Sequence, residues 1–290
     1  MSYTLNDFIY IDSHCHFFPP QIFKSIWNYF ELPDKEGNPR GWNINYKLPT
    51  GALIEILKNH RVKYFTTYNY AHKVGVAEYI NDWTYEFVGK TKEALPFGCV
   101  WPDDTNRVEY VQKLLDEYKF LGIKLQLLVQ NFYPYDERMH DIYELVIDRG
   151  KWLNFHVGTA PYPNKYVGYK KFKKFMEKYP DINVIVAHLG TYESLKFFKM
   201  LDKFDNLYFD TAMVYIPMSF SKIWKRKFKL PSEEDLLSYE DRILYGSDYP
   251  NIPYDYACSI QGLLNLKLPK SFYDKVFFNN AKRIFKVNLN

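Results

Sequence analysis

Apolar and polar positions follow two alternating periods along this chain, and the alternation starts within the first dozen residues. Short apolar, β-rich runs occupy 8–12, 62–67, 95–100, 120–125, 152–156, 183–187, 206–209 and 242–245. Several are nearly continuous in apolar residues, the pattern of strands covered on both faces. Between them, 51–60, 76–90, 105–118, 136–149, 168–179, 192–203 and 232–238 carry apolar residues at helical spacing. Gly150 supplies a stop after the fourth of these segments and Pro180 after the fifth. Residues 254–286 read as two or three further helices. Eight strands separated by helices fit a closed parallel barrel, although an open doubly wound sheet uses the same units.

The polar residues decide between the two. A barrel carries its chemistry at the C-terminal ends of its strands. His14 and His16 follow the first run, Lys124 lies near the end of the fourth, His156 ends the fifth, His188 the sixth, and Asp248 follows the eighth. Only closure makes the ends of strands one and eight neighbours. The expected fold is therefore α/β, a (β/α)8 TIM-like barrel, spanning 1–290 as one domain with the C-terminal helices packed on it.

Histidine and aspartate at these ends suit a borderline-soft divalent ion. In an extended segment, residues two apart point to one side, so His14 and His16 can reach a single ion. With His156 and Asp248 they form the expected ligand set for one ion, zinc first and manganese second. Asp248 is also placed to accept a proton. Asp12 is expected to orient one of the histidines through its other ring nitrogen, and Cys15 to be a small buried side chain on the opposite face. His72, after the second strand, faces the same end and is expected to touch substrate, whereas His60 and His140 lie on helices and read as structural. Phe17, Trp101 and Tyr192, on loops after strands, point to a flat or apolar substrate.

Composition narrows the partners. With 47% hydrophobic residues, 27 tyrosines and 23 phenylalanines, the chain can bury a large core. A net charge of +4 spread over 290 residues predicts no nucleic-acid partner. Three isolated cysteines, Cys15, Cys99 and Cys258, fit a reducing compartment rather than a disulfide framework. Without a signal-like N-terminus or an apolar run of membrane-spanning length, a cytoplasmic protein with a small-molecule substrate and no membrane partner is expected.

Six motifs in order carry a family resemblance: D-S-H-C-H at 12–16, G-I-K-L at 122–125, F-H-V-G at 155–158, P-D-I-N-V-I-V-A-H-L-G at 180–190, L-Y-G-S-D-Y-P at 244–250 and N-N-A-K-R-I-F at 279–285. The chain resembles the amidohydrolase superfamily, in the amidohydrolase-related branch that includes aminocarboxymuconate semialdehyde decarboxylase and resorcylate decarboxylase. The resemblance implies a barrel of the metal-dependent hydrolase type with a single metal on His14, His16, His156 and Asp248, and His188 as the catalytic residue beside it. It implies two roles for Lys124, a structural or substrate-facing cation, or a carboxylated bridge between two metals as in binuclear members. Gln126 stands where many relatives have a histidine. A homodimer is implied in the same way. Hydrolysis through a metal-activated water is the first expectation, because the loops are poor in arginine. The alternative is non-oxidative decarboxylation of an aromatic or unsaturated acid; a non-catalytic small-ligand-binding barrel is the alternative of another class, disfavoured by the presence of both His188 and Asp248.

Overall fold

The computed structural model describes residues 3–33, 37, 40, 42–216 and 227–287. Eight parallel strands follow one another around a sheet in sequence order: β1 Tyr10–Asp12, β2 Val62–Thr67, β3 Ala94–Cys99, β4 Gly122–Gln126, β5 Trp152–His156, β6 Asn183–Val186, β7 Leu207–Asp210 and β8 Ile243–Leu244. Each apolar run read from the sequence coincides with one of them to within two residues at either end. Gly122 is required in β4, since a Cβ there would lie 1.9 Å from the Trp152 carbonyl oxygen on β5.

The ring closes just beyond β1 and β8 rather than along them. Ser13 N–H donates to the Tyr245 carbonyl at 2.8 Å, Asp248 N–H to that of His14 at 2.8 Å, and His16 N–H to that of Tyr249 at 2.7 Å. A parallel bridge joins Cys15 to Tyr249. The barrel is thus nearly closed, and the backbone that closes it is the backbone that carries His14, His16 and Asp248.

Helices α2 Thr50–Asn59, α3 Ala77–Lys90, α4 Arg107–Asp116, α6 His140–Asp148 and α7 Tyr169–Lys178 alternate with the strands, while α5 Leu127–Gln130 is a single turn directly after β4. The pattern over 192–203 breaks up in the structure: a 3-10 segment, Ala187–Glu193, precedes α8 Ser194–Phe198 and a second 3-10 turn. His188, Leu189, Gly190 and Thr191, immediately before that pattern, all have positive φ, and within the pattern the α-helix gives way to the 3-10 turn Lys199–Asp202. In the connection between β7 and β8, α9 Glu233–Ser238 is seen as expected, and 217–226 lie outside the described residues.

Besides the single turn α5, one longer helix is not marked by the sequence pattern. The first, α1 Pro20–Glu31, starts with a proline at its first turn, a favoured N1 residue. It packs Ile22, Phe23, Ile26, Trp27 and Phe30 at helical spacing beside the barrel mouth.

The tail comprises α10 Ala257–Leu264, α11 Lys270–Asp274, a π-helical turn Lys275–Asn279 and α12 Asn280–Ile284, and its last part fills the far end of the barrel. Phe278, Ala281, Phe285 and Val287 join Ile11, Leu95, Phe97, Ile185 and Leu244 in one cluster, with Phe285 edge-on to Phe97 at 5.7 Å. One end is therefore sealed by apolar side chains, and chemistry is confined to the other.

Candidate metal centre

The alternation of extended backbone through Asp12–His16 puts His14 and His16 on the cavity side and buries Cys15 behind them. Both imidazoles are fixed from the rear. His14 Nδ1 donates to Asp210 Oδ2 at 2.8 Å, and His16 Nδ1 donates to the Tyr68 carbonyl at 2.6 Å. With Nδ1 holding the proton, each Nε2 is left with its lone pair. The two Nε2 atoms converge on one oxygen, Asp248 Oδ1, at 3.1 Å and 3.0 Å.

Three neutral or anionic donors converging on one point, the two imidazoles each held from the rear by a second hydrogen bond, match what a divalent ion requires. The ligand atoms of His14, His16 and Asp248 lie within 4.8 Å of one another, as do those of His14, His188 and Asp210. Burial raises the carboxyl of Asp248, but the two imidazoles outweigh it and hold that carboxyl well below the usual range. Gly246 permits this approach: a Cβ there would meet His14 Cβ at 2.7 Å. Asp248 has φ of 71° and His188 of 57°, left-handed conformations that non-glycine residues hold only when their surroundings enforce them.

Asp210, at the end of β7, is the residue the sequence reading missed. Besides His14, its Oδ1 accepts from the backbone N–H of His188 at 2.9 Å and of Ala212 at 3.2 Å. Its carboxyl is depressed, burial being outweighed chiefly by His14. The role expected of Asp12, orienting a histidine ring, falls to Asp210 instead. Asp12 accepts from His14 N–H at 3.1 Å, from Ser247 Oγ at 2.5 Å and from the Tyr256 hydroxyl at 2.8 Å, so it ties the β1 loop to the β8 loop.

His188 donates from Nδ1 to the Ala212 carbonyl at 2.9 Å, leaving Nε2 bare, and its ring centre is 4.8 Å from that of His14. Burial lowers its pKa to about 4, so it is neutral at pH 7. Lys124 is fully buried, with Nζ 2.5 Å from Asn154 Oδ1 and 3.5 Å from His14 Nε2. Burial lowers its pKa to about 8, the carboxylates of Asp210 and Asp248 opposing the shift.

His156 lies on the same cavity, its ring centre 4.6 Å from that of His188, but outside both groups of converging ligand atoms. Its Nδ1 is 2.7 Å from Gln126 Nε2 and its Nε2 3.2 Å from the Ala160 carbonyl oxygen.

The cavity above these residues measures about 670 Å³, within the range of small-molecule sites. Ile26, Phe30, Trp42, Tyr70 and Leu128 form apolar walls; His72 lines it as the sequence reading anticipated. Phe17 does not: it is buried in the core, stacked on Phe87 and tilted against Phe65, because alternation turns it outward like Cys15. Trp101 is absent from the lining, and Tyr192 stands behind it, its hydroxyl donating to the Pro161 carbonyl at 3.4 Å. The expected cation Lys124 is buried and absent from the lining, while a guanidinium not anticipated, Arg40, reaches the wall with its central carbon 4.1 Å from the centre of the Tyr29 ring.

A profile of the amidohydrolase family matches residues 11–287. This chain belongs to that family. Among solved structures it is similar to an uncharacterized TIM-barrel protein from Bordetella bronchiseptica, with 17% identity over 96% of this chain and 99% of that one and a TM-score of 0.71. It is also similar to 5-carboxyvanillate decarboxylase from Novosphingobium aromaticivorans complexed with manganese and a nitrobenzoic acid, at 15% identity over 99% and 100% of the two chains and a TM-score of 0.67. The 2,6-dihydroxybenzoate decarboxylase from Rhizobium matches at 14% identity over 96% and 98%, with a TM-score of 0.65. No curated protein matches. At these identities the likeness is one of fold, and no helix of the described residues is long and apolar enough to cross a membrane.

Proposed function

We propose that this member of the amidohydrolase family is a metal-dependent carboxy-lyase that removes CO2 from a small aromatic acid, with a divalent ion on His14, His16 and Asp248. The observation that carries the reading is the cavity: aromatic and aliphatic walls, a guanidinium on one side, and the converging imidazole and carboxylate atoms at the base. The sequence favoured hydrolysis because arginines were scarce near the strand ends; Arg40 removes that reason. The relatives with bound manganese are decarboxylases of aromatic acids, which supports the same choice. Manganese is therefore proposed ahead of zinc.

A divalent ion at this position supplies a positive charge that withdraws electron density from a substrate oxygen. Arg40 pairs with a carboxylate or phenolate of the substrate. Ile26, Phe30, Trp42 and Tyr70 exclude water and favour neutral CO2 over the charged carboxylate from which it departs. The ring carbon that loses CO2 must gain one proton. His188, neutral and with Nε2 bare, takes a proton from a substrate hydroxyl and returns it to that carbon. His72 contacts the substrate at the rim.

Hydrolysis of a neutral aryl ester or lactone is the second reading, favoured by one observation: the walls formed by Ile22, Ile26, Phe30, Trp42, Leu128 and Val129 are apolar, with Arg40 the one guanidinium among the lining residues. The test is a panel of hydroxybenzoic acids and of aryl esters and lactones, incubated with the manganese-loaded protein and followed by CO2 release and product chromatography. Stoichiometric CO2 and arene from an acid are expected. Ester or lactone cleavage with no CO2 from any acid would replace this reading with the second.

A further inference from the structure

Arg40 is held in one pose by contacts that leave a particular part of it free. Its guanidinium carbon lies over the Tyr29 ring of α1, and Nη1 donates to the Tyr29 hydroxyl at 3.3 Å. Two residues on, Trp42 stacks on Phe30 of α1 and donates from Nε1 to the Asn251 carbonyl at 2.7 Å, which pins this stretch of chain between α1 and the loop after β8. A stacked guanidinium has its face covered and its N–H bonds directed outward in its own plane. With Nη1 engaged, the edge formed by Nε and Nη2 remains. Nε is buried and has no acceptor, and among the described residues Arg40 donates only to Tyr29. A buried donor on a charged group costs free energy until an acceptor reaches it. Arg40, Tyr29 and Asn251 all line the cavity, so that acceptor arrives with the molecule the cavity takes up.

We infer that Tyr29 is a positioning residue that turns the Nε–Nη2 edge of Arg40 to the cavity, where it takes a carboxylate side-on in preference to a phenolate or a neutral group. The two N–H bonds of that edge are parallel and match the two oxygens of a carboxylate, whereas a phenolate or an amide offers one oxygen. Lysine is no substitute here, because an ammonium is a point charge with neither a planar edge nor a face to lay on Tyr29. The inference deepens the reading given above and rests on its choice of this cavity as the substrate site.

The test uses the full-length protein stripped of metal, so that a carboxylate has no ion to bind, and equilibrium titration with three probes: benzoate, benzamide and pentafluorophenolate. Benzoate is expected to bind about tenfold more tightly than either of the others. Tyr29→Ala is expected to weaken benzoate about tenfold and to leave benzamide within about twofold, while Tyr29→Phe, which keeps the ring under the guanidinium, stays within about threefold of wild type. Arg40→Lys is expected to lose about tenfold for benzoate although the charge is kept. Tyr29 is 53% exposed, so its variants should melt with the wild type. Wild type that does not prefer benzoate, benzoate affinity unchanged in Tyr29→Ala or in Arg40→Lys, or benzoate and benzamide weakened alike in Tyr29→Ala would each overturn the inference. If the preference and its loss in Tyr29→Ala are found but the manganese-loaded protein releases no CO2 from any acid, the carboxy-lyase reading falls while the assignment of Tyr29 and Arg40 stands.

Discussion

An imidazole becomes a ligand or a base according to what sits behind it, and Asp210 sits behind His14 while also taking the backbone N–H of His188. Replacing Asp210 by Asn keeps an acceptor for those amides but removes the charge that favours a proton on His14 Nδ1. We expect Asp210→Asn to weaken Mn2+ binding by about 10–100-fold while leaving the far-ultraviolet circular dichroism unchanged; unaltered affinity would reduce Asp210 to a backbone anchor. This residue was legible in the sequence. It follows the apolar run Leu207–Phe209 just as His156 and His188 end theirs, and the rule that singled those out applies to it equally. Arg40 was not legible, because it belongs to no strand end and reaches the wall only through the folded path of the β1–α2 connection. The orientation of Asp12 could not be read either: a carboxylate two residues from a histidine can bond its ring or its backbone, and only the position of Ser247 and Tyr256 across the closure decides.

Among the elements, strands were read more accurately than helices for a physical reason. A strand buried on both faces must be apolar throughout, whereas a helix over a barrel shows only a stripe, and that stripe carries no mark of where α-helix gives way to a 3-10 turn, as at Lys199–Asp202. The tail separates structure from chemistry. Phe285, buried against Phe97 at the sealed end, touches nothing at the mouth. Truncating Phe285 to Ala should cost about 3–5 kcal/mol of unfolding free energy, read as a lower denaturation midpoint with an unchanged m-value. Mn2+ affinity of the folded fraction should stay as in wild type. A parallel loss of affinity would mean that the two ends of the barrel are mechanically coupled.

At the scale of the whole molecule, the surface carboxylates set the acid limit. Asp116 is held below its usual range by Arg149, Asp136 by Arg138, Glu137 by Lys178, and Asp7 and Asp235 by hydrogen bonds from Thr4 and Ser232. Each has a depressed folded pKa, so the unfolded chain binds more protons in acid, and the stability these groups give is present above about pH 4 and lost as pH falls through their folded values. Asp12 has the opposite sign. Burial raises its pKa against the bonds from Ser247 and Tyr256, so folding is favoured by its protonated form and that contribution fades as pH rises. Five groups of one sign outnumber one of the other, but the five are mostly exposed and individually weak. The buried histidines His156, His188 and His16, whose folded pKa burial lowers, add a loss that begins as pH falls through about 6.5, where the unfolded chain takes up their protons. The melting temperature of the metal-free protein should therefore start to decline there and fall more steeply below about pH 4. The Asp116→Asn and Asp136→Asn pair should flatten that fall. An acid limb as steep in the double variant as in wild type would assign the loss to the buried carboxylates Asp210 and Asp248, whose protonation takes the ion site and the barrel closure down together.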